Sequence, residues 1–214
     1  MQAEHLSYLA PTFYLDHQHA VVQAYVAKYT KATDTPKEKA VKLYYAIRDD
    51  FKYNPYNISL EPEHFKASYL LQRPEGYCIE KAVTLAACAR AAGLPSRLGF
   101  SNVTNHIGTS KLEELLGTNV LVFHGYTEMW IDGKWLKATP AFNAQLCEKL
   151  GVAPLEFDGE KDSVFQAYDK GGKFMEYLHE YGNFEDLPYQ LMVSEWKRHY
   201  EHTNFFKIGI QNRP

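Results

Sequence analysis

Cys78 and His124 are the side chains whose types and settings best suit covalent chemistry in this chain. Cys78 lies in "EGYCIEKAVTLAACARAAGLPSR", residues 75–97, where it opens an alanine-rich apolar run that reads as a helix. Helix starts usually take Ser, Thr, Asp or Asn, so a cysteine there poses a chemical question. The free N–H groups and positive dipole end of a helix N-terminus favour a thiolate. The Cys78 N–H is also placed to act as an oxyanion donor. A cysteine nucleophile further needs a base and a group that orients the base. His124 is the candidate base, in "NVLVFHGYTEMWIDGKWLKATPAFN", residues 119–143.

Asp132-Gly133 in that stretch predicts a two-residue type I′ hairpin turn between two strand-like runs. Counting from the turn pairs Ile131 with Lys134, Trp130 with Trp135, Glu128 with Lys137 and Tyr126 with Thr139. Directly paired side chains share a face, so His124 falls opposite Ala141, with Thr139 and Asn143 as diagonal neighbours able to orient its ring. Pro140 cannot donate to the ladder and weakens the last pairs. Glu128 and Lys137 read as a cross-strand ion pair. Taken singly, Cys78 fits a buried structural thiol and His124 a half-buried sheet histidine. Cys88 and Cys147 read as core.

The elements that must position these residues follow from local pattern. Residues 17–33 carry Ala20, Val21, Ala24 and Ala27 at helical spacing. Thr35, Pro36 and Glu38 form an N-terminal signature for a second helix, which Asn54-Pro55 ends. Residues 55–75 read as a loop with a helical piece near Phe65–Leu71. The helix from Cys78 reaches about Ala92, where Gly93 and Pro95 stop it. Ala82, Ala86 and Ala89 give it a small-residue side suited to close packing on a sheet. Residues 96–103 read as a strand, 108–118 as a short helix, 150–187 as loop with short elements, and 188–200 as a helix.

The bulk composition narrows the function classes. The chain has 214 residues, with 23 Lys and Arg against 26 Asp and Glu and a net charge of −3. It has no basic field for nucleic acid or acidic lipid. The 16 Tyr and 12 Phe residues read first as core and sheet packing. The N-terminal residues lack a signal-peptide pattern, and no run approaches the ~18 apolar residues of a membrane helix. Three cysteines without C-x-x-C spacing fit a reducing compartment, with neither a disulfide frame nor structural zinc. A cytoplasmic protein without metal or cofactor is expected.

Together the two segments resemble the transglutaminase-like (papain-fold) cysteine enzyme superfamily, in a compact bacterial-type form. Gly76, Cys78, Arg90, Ala91, Gly93, Pro95 and Arg97 match its nucleophile helix and following strand. His124, Tyr126 in place of Trp, Glu128, Gly133 and Trp135 match its histidine hairpin. The resemblance spans roughly residues 36–143. It implies an α+β fold with a papain-like transglutaminase core, the Cys-bearing helix packed on an antiparallel sheet, and N- and C-terminal helical and loop additions. The corresponding division is 1–34 as an N-terminal helical segment, 35–145 as the core, and 146–214 as an extension packed on the core, one domain overall.

The resemblance further implies acyl transfer or amide hydrolysis through a thioester, on a peptide, protein or small amide or amine substrate. Cys78 attacks, and His124 takes the thiol proton and returns it to the leaving amine. The family's Asp falls on Thr139, which carries no charge, so Thr139, Asn143 and, from "EFDGEKDS", Asp158 are the candidates for orienting His124. Tyr77, Tyr126 and His106 are candidate substrate contacts. The missing Asp keeps open a catalytically silent domain that binds peptide or protein, and a purely structural domain stands behind that. The acidic run Glu156–Asp162 lacks the spacing of a calcium loop, so the calcium dependence of animal transglutaminases is not carried over. The residues after Asn143 are expected to pack over the groove and set specificity.

Overall fold

The computed structural model describes residues 5–105, 110–164 and 175–203. Helix α1 (Ala20–Tyr29) leads to α2 (Pro36–Asp50), which starts as its sequence dictates. Thr35 Oγ1 accepts the Glu38 N–H at 3.2 Å, and Glu38 Oε2 accepts the Thr35 N–H at 2.7 Å, satisfying two donors that no helical carbonyl reaches. A two-residue strand, β1 (Lys52–Tyr53), pairs in parallel with β2 (Glu75–Gly76). Between them lie a 3-10 turn at Pro62–Phe65 and the short helix α3 (Ala67–Leu70).

Helix α4 (Cys78–Ala91) is the centre of the molecule, buried at every position from Cys78 to Arg90. A helix enclosed on all sides needs small residues where neighbours approach and partners for any charge it carries. Its alanines meet the first need and its two buried cations meet the second. Lys81 Nζ donates to the Arg48 and Phe51 carbonyls at 2.8 and 2.9 Å, capping the C-terminal end of α2. Arg90 donates to the carbonyls of Ala10, Ser96 and Glu185. It thereby ties the N-terminal segment and the stretch before the last helix to α4. The chain then runs through β3 (Ser96–Asn105), α5 (Ser110–Leu116), β4 (Val120–Ile131), β5 (Lys134–Ala138), α6 (Ala144–Leu150), β6 (Met175–Phe184) and α7 (Tyr189–Tyr200). The four longer strands form an antiparallel sheet in the order β5-β4-β3-β6.

The α+β class and the predicted helices therefore appear as read. The hairpin turns at Asp132 (φ 48°) and Gly133 (φ 89°), both left-handed as a type I′ turn requires. Its pairs Ile131–Lys134, Trp130–Trp135 and Glu128–Lys137 are in the expected register. The ladder ends at Thr127–Ala138, so the expected pairs Tyr126–Thr139 and His124–Ala141 do not form. Ser163 takes the partner's place: its carbonyl accepts the Thr139 N–H at 2.9 Å and its own N–H reaches the Lys137 carbonyl at 2.7 Å. The Glu128–Lys137 ion pair is also replaced. Arg97 lies directly across from Glu128 on β3 and binds it at 2.6 Å, while Lys137 turns to Glu180 at 3.6 Å. Strand β6 is the element the loop reading of 150–187 missed. It is a sheet edge with Leu178, His179 and Glu180 exposed, and its pairing with β3 shifts register twice, so no clean alternation marks it.

Candidate active site

Cys78 is the first residue of α4, and Tyr77 before it offers no side-chain cap. Glu80 supplies the stabilisation from the other direction. Its Oε2 accepts the Tyr77 N–H at 3.2 Å, and its Oε1 is held by Arg73 at 2.6 Å. The first N–H groups of the helix are left for the thiol. Those of Ile79 and Cys78 itself, with that of Gly125 from β4, favour the charged sulfur. Gly125 suits the close approach there. A Cβ on it would stand 3.1 Å from the Ile79 Cα and 3.3 Å from the Ala82 Cβ, so a side chain there would push β4 and the start of α4 slightly apart. Thr127 fixes the same contact two residues on, donating to the Ala82 carbonyl at 2.8 Å.

Burial outweighs those donors. Cys78 is 8% exposed, and desolvation pushes its thiol up to about 11. The helix start and the neighbouring N–H groups thus favour a thiolate, and burial opposes it. Cys78 opens onto a small cavity of about 50 Å³ walled by Tyr53, Tyr77, Leu121, Val122, Trp196 and Tyr200, among others. Helix α7 forms one wall. Trp196 Nε1 donates to the Val122 carbonyl at 3.1 Å, and Tyr200 Oη accepts the Val122 N–H at 2.7 Å and donates to the Val120 carbonyl at 2.9 Å.

His124 immediately precedes Gly125, beside the strained Phe123 (φ 67°), and is 2% exposed. Its backbone partner is Ser101. Neither ring nitrogen hydrogen-bonds any described residue, Cys78 included, and desolvation lowers the ring to about 4. The three candidate orienting residues do not reach it. Thr139 is buried with its hydroxyl unpartnered among the described residues. Asn143 instead accepts the Tyr53 N–H at 3.0 Å, which ties it to a wall of the Cys78 cavity. Asp158 is turned to its own loop, accepting the Glu160 and Lys161 N–H groups at 2.8 and 2.9 Å.

Tyr77 lines the Cys78 cavity. Tyr126 does not: its ring lies over Gly99, where a Cβ would come within 2.2 Å of it, and Lys137 covers it at 5.0 Å. His106 lies outside the described residues. Sequence reading did not single out Gly125, which lies against the start of α4, or Trp196 and Tyr200, which line the cavity. The only signal for the last two was two large aromatics in a predicted tail helix.

The remaining motif residues serve the frame. Arg97 spans Glu128 and the Trp135 ring, 4.2 Å away. The family model of the transglutaminase-like superfamily matches residues 19–140, more than half of the chain. The chain belongs to the transglutaminase-like superfamily. As in that superfamily's papain-like fold, the cysteine-bearing helix packs on an antiparallel sheet that carries the histidine. A crystal structure of a protein from Cytophaga hutchinsonii, provisionally assigned as a cysteine protease, shares this fold with a TM-score of 0.52 at 12% identity. The match covers 86% of this chain and 55% of that one, so this transglutaminase-like chain spans about half the length of that protein. No curated protein matches it. Among the described residues, no helix is long and apolar enough to cross a membrane.

Proposed function

We propose that this transglutaminase-like chain is a cysteine-dependent enzyme that transfers or hydrolyses acyl groups through a thioester on Cys78, with a peptide or small amide as acyl donor. One observation carries the reading: Cys78 starts the central helix beside Gly125 of β4, where backbone N–H groups favour charge on its sulfur, and a cavity lies in front of it. Those N–H groups suit the oxyanion that forms when sulfur attacks a carbonyl. His124, next to Gly125, is the general base.

Both groups are neutral at rest, so the proton leaves sulfur as the carbon–sulfur bond forms rather than beforehand. Collapse of the tetrahedral intermediate expels the amine, protonated by His124, and leaves the thioester. Water or a second amine then takes the acyl group. For this the imidazole must swing onto the thiol when substrate binds, because the two are not hydrogen-bonded in the structure.

The experiment compares single-turnover acylation of wild type with His124→Ala and Cys78→Ser. A thioester that forms in wild type, slows by roughly a hundredfold or more without His124, and is absent without Cys78 supports the reading. Equal acylation of wild type and His124→Ala removes His124 from the role of base. One observation favours a silent binding domain instead: none of the three candidate residues orients His124. Peptide binding with no acylation of Cys78 is the result that reading predicts.

A further inference from the structure

Strand β4 carries one residue more than β3 just before the site. Leu121 pairs with Val103 and His124 with Ser101, so Val122 and Phe123 together stand opposite Asn102 alone. Two residues against one make a β-bulge, a feature found beside active sites, where it re-aims the side chains that follow. Phe123 adopts φ 67° within it. That left-handed conformation is unfavourable for a bulky residue and persists only where the surroundings hold it.

The surroundings here can be named. Both N–H groups of the bulge go to side-chain acceptors, as buried backbone donors must find partners. Tyr200 Oη accepts the Val122 N–H at 2.7 Å, and Asn102 Oδ1 accepts the Phe123 N–H at 3.0 Å. Asn102 is buried. Its oxygen is set in place by Tyr181 of β6, whose hydroxyl shares its hydrogen between Asn102 Oδ1 at 3.1 Å and Glu195 Oε2 of α7 at 2.7 Å. The Phe123 ring stacks on Phe100 at 4.4 Å and tilts against Tyr181 at 4.8 Å. Asn102 is thus the residue of the facing strand that closes the bulge.

The bulge decides which residue of β4 meets α4. Side chains alternate along a strand, so one residue more or less moves every later side chain to the other face. Gly125 lies opposite Phe100, and a Cβ on it would point at Ile79 and Ala82. Without the extra residue His124 would stand opposite Phe100, and a full side chain would enter a place where even a Cβ crowds α4. The Gly125 N–H, which favours charge on the Cys78 sulfur, would leave it. We propose that Asn102 is a positioning residue of the site: by accepting the Phe123 N–H it holds the bulge that sets Gly125 against the first turn of α4, beside Cys78. This deepens the acyl-transfer reading and rests on it. Asn102 acts through Gly125, whose N–H is then in place for charge that develops around the sulfur during attack.

The test compares the whole chain with Asn102→Leu, which lacks the acceptor, Asn102→Asp, which keeps it, and Gly99→Ala, elsewhere on β3. Should Asn102→Leu fail to fold, Asn102→Ala takes its place. Single-turnover acylation of Cys78 by p-nitrophenyl acetate is read by peptide mass spectrometry on folded protein. The Phe123 and Gly125 amides are followed by NMR. Asn102→Leu should slow acylation by roughly a hundredfold, move the Gly125 amide resonance and strip Phe123 of its exchange protection. Its Cys78 alkylation should also need a higher pH. Asn102→Asp should recover most of the loss, and Gly99→Ala should lose stability without losing acylation. If Asn102→Leu acylates Cys78 at the wild-type rate, or Asn102→Asp is as slow as Asn102→Leu, or Gly99→Ala is slowed as much, the positioning role is overturned and Cys78 stands as the acyl acceptor. If wild type itself is not acylated on Cys78, the acyl-transfer reading falls and this inference with it.

Discussion

Cys78 and His124 are both held neutral by burial, the thiol pushed up to about 11 and the imidazole down to about 4. The rate of Cys78 alkylation should therefore keep rising with pH past the ~8.5 of a free thiol. A plateau between pH 6 and 7 would mean a preformed thiolate–imidazolium pair. Trp196→Ala, which takes away part of the cover, should let water in and speed labelling at pH 7. His124 also has a stability signature. Its folded pKa lies below the ordinary 6.5, so between about pH 6.5 and 4 the unfolded chain binds a proton that the folded one refuses. Stability is complete above 6.5 and falls as pH drops through that window, by on the order of 3 kcal/mol for this one group. Denaturant titrations at pH 7 and pH 4.5 should show a smaller difference in His124→Gln than in wild type. An equal difference would mean that His124 is not the group responsible.

At the scale of elements, the join between α4 and β4 places the site, and two glycines separate its structural role from its chemical one. Gly125→Ala pushes a Cβ against the Ile79 Cα and so moves the N–H groups around the thiol. Gly99→Ala drives a Cβ into the Tyr126 ring, well away from the cavity. Each should cost about 1–3 kcal/mol of stability, measured by denaturant unfolding, but only Gly125→Ala should change Cys78 acylation in the protein that remains folded. Much at this scale is legible in the sequence. Thr35, Pro36 and Glu38 mark the start of α2, Gly93 and Pro95 mark the end of α4, and Asp132-Gly133 sets the hairpin register. These are local devices, decided within a few residues. What could not be read depends on distant partners. Ser163 draws Thr139 away from β4, Arg97 takes Glu128 from Lys137, and β6 is an edge strand whose register shifts hide its period.

For the whole molecule, α7, which lies beyond the family-matched segment, supplies part of the wall beside Cys78. Trp196 and Tyr200 of α7 complete the cavity wall while bonding the β4 backbone at Val120 and Val122, and β5 does not extend along β4 that far. The cysteine and histidine segments were recognisable because their residue types recur at fixed spacing. The cover was not, because an aromatic in a tail helix reads as ordinary packing until its neighbours are known. Tyr200→Phe removes a hydroxyl that serves two backbone groups and should loosen α7 by about 1–3 kcal/mol. Faster amide exchange in 189–203 and faster Cys78 alkylation should appear together; exchange without any change in alkylation would show that α7 does not control access.

The most direct measurement is the mass of the intact chain, quenched soon after mixing with p-nitrophenyl acetate, followed by peptide mapping and hydroxylamine treatment. A thioester enzyme should carry one acetyl group, on Cys78, labile to hydroxylamine and absent from Cys78→Ser. A chain that remains unmodified, or is acetylated only on lysines or equally at Cys88 and Cys147, would contradict Cys78 as the acyl acceptor.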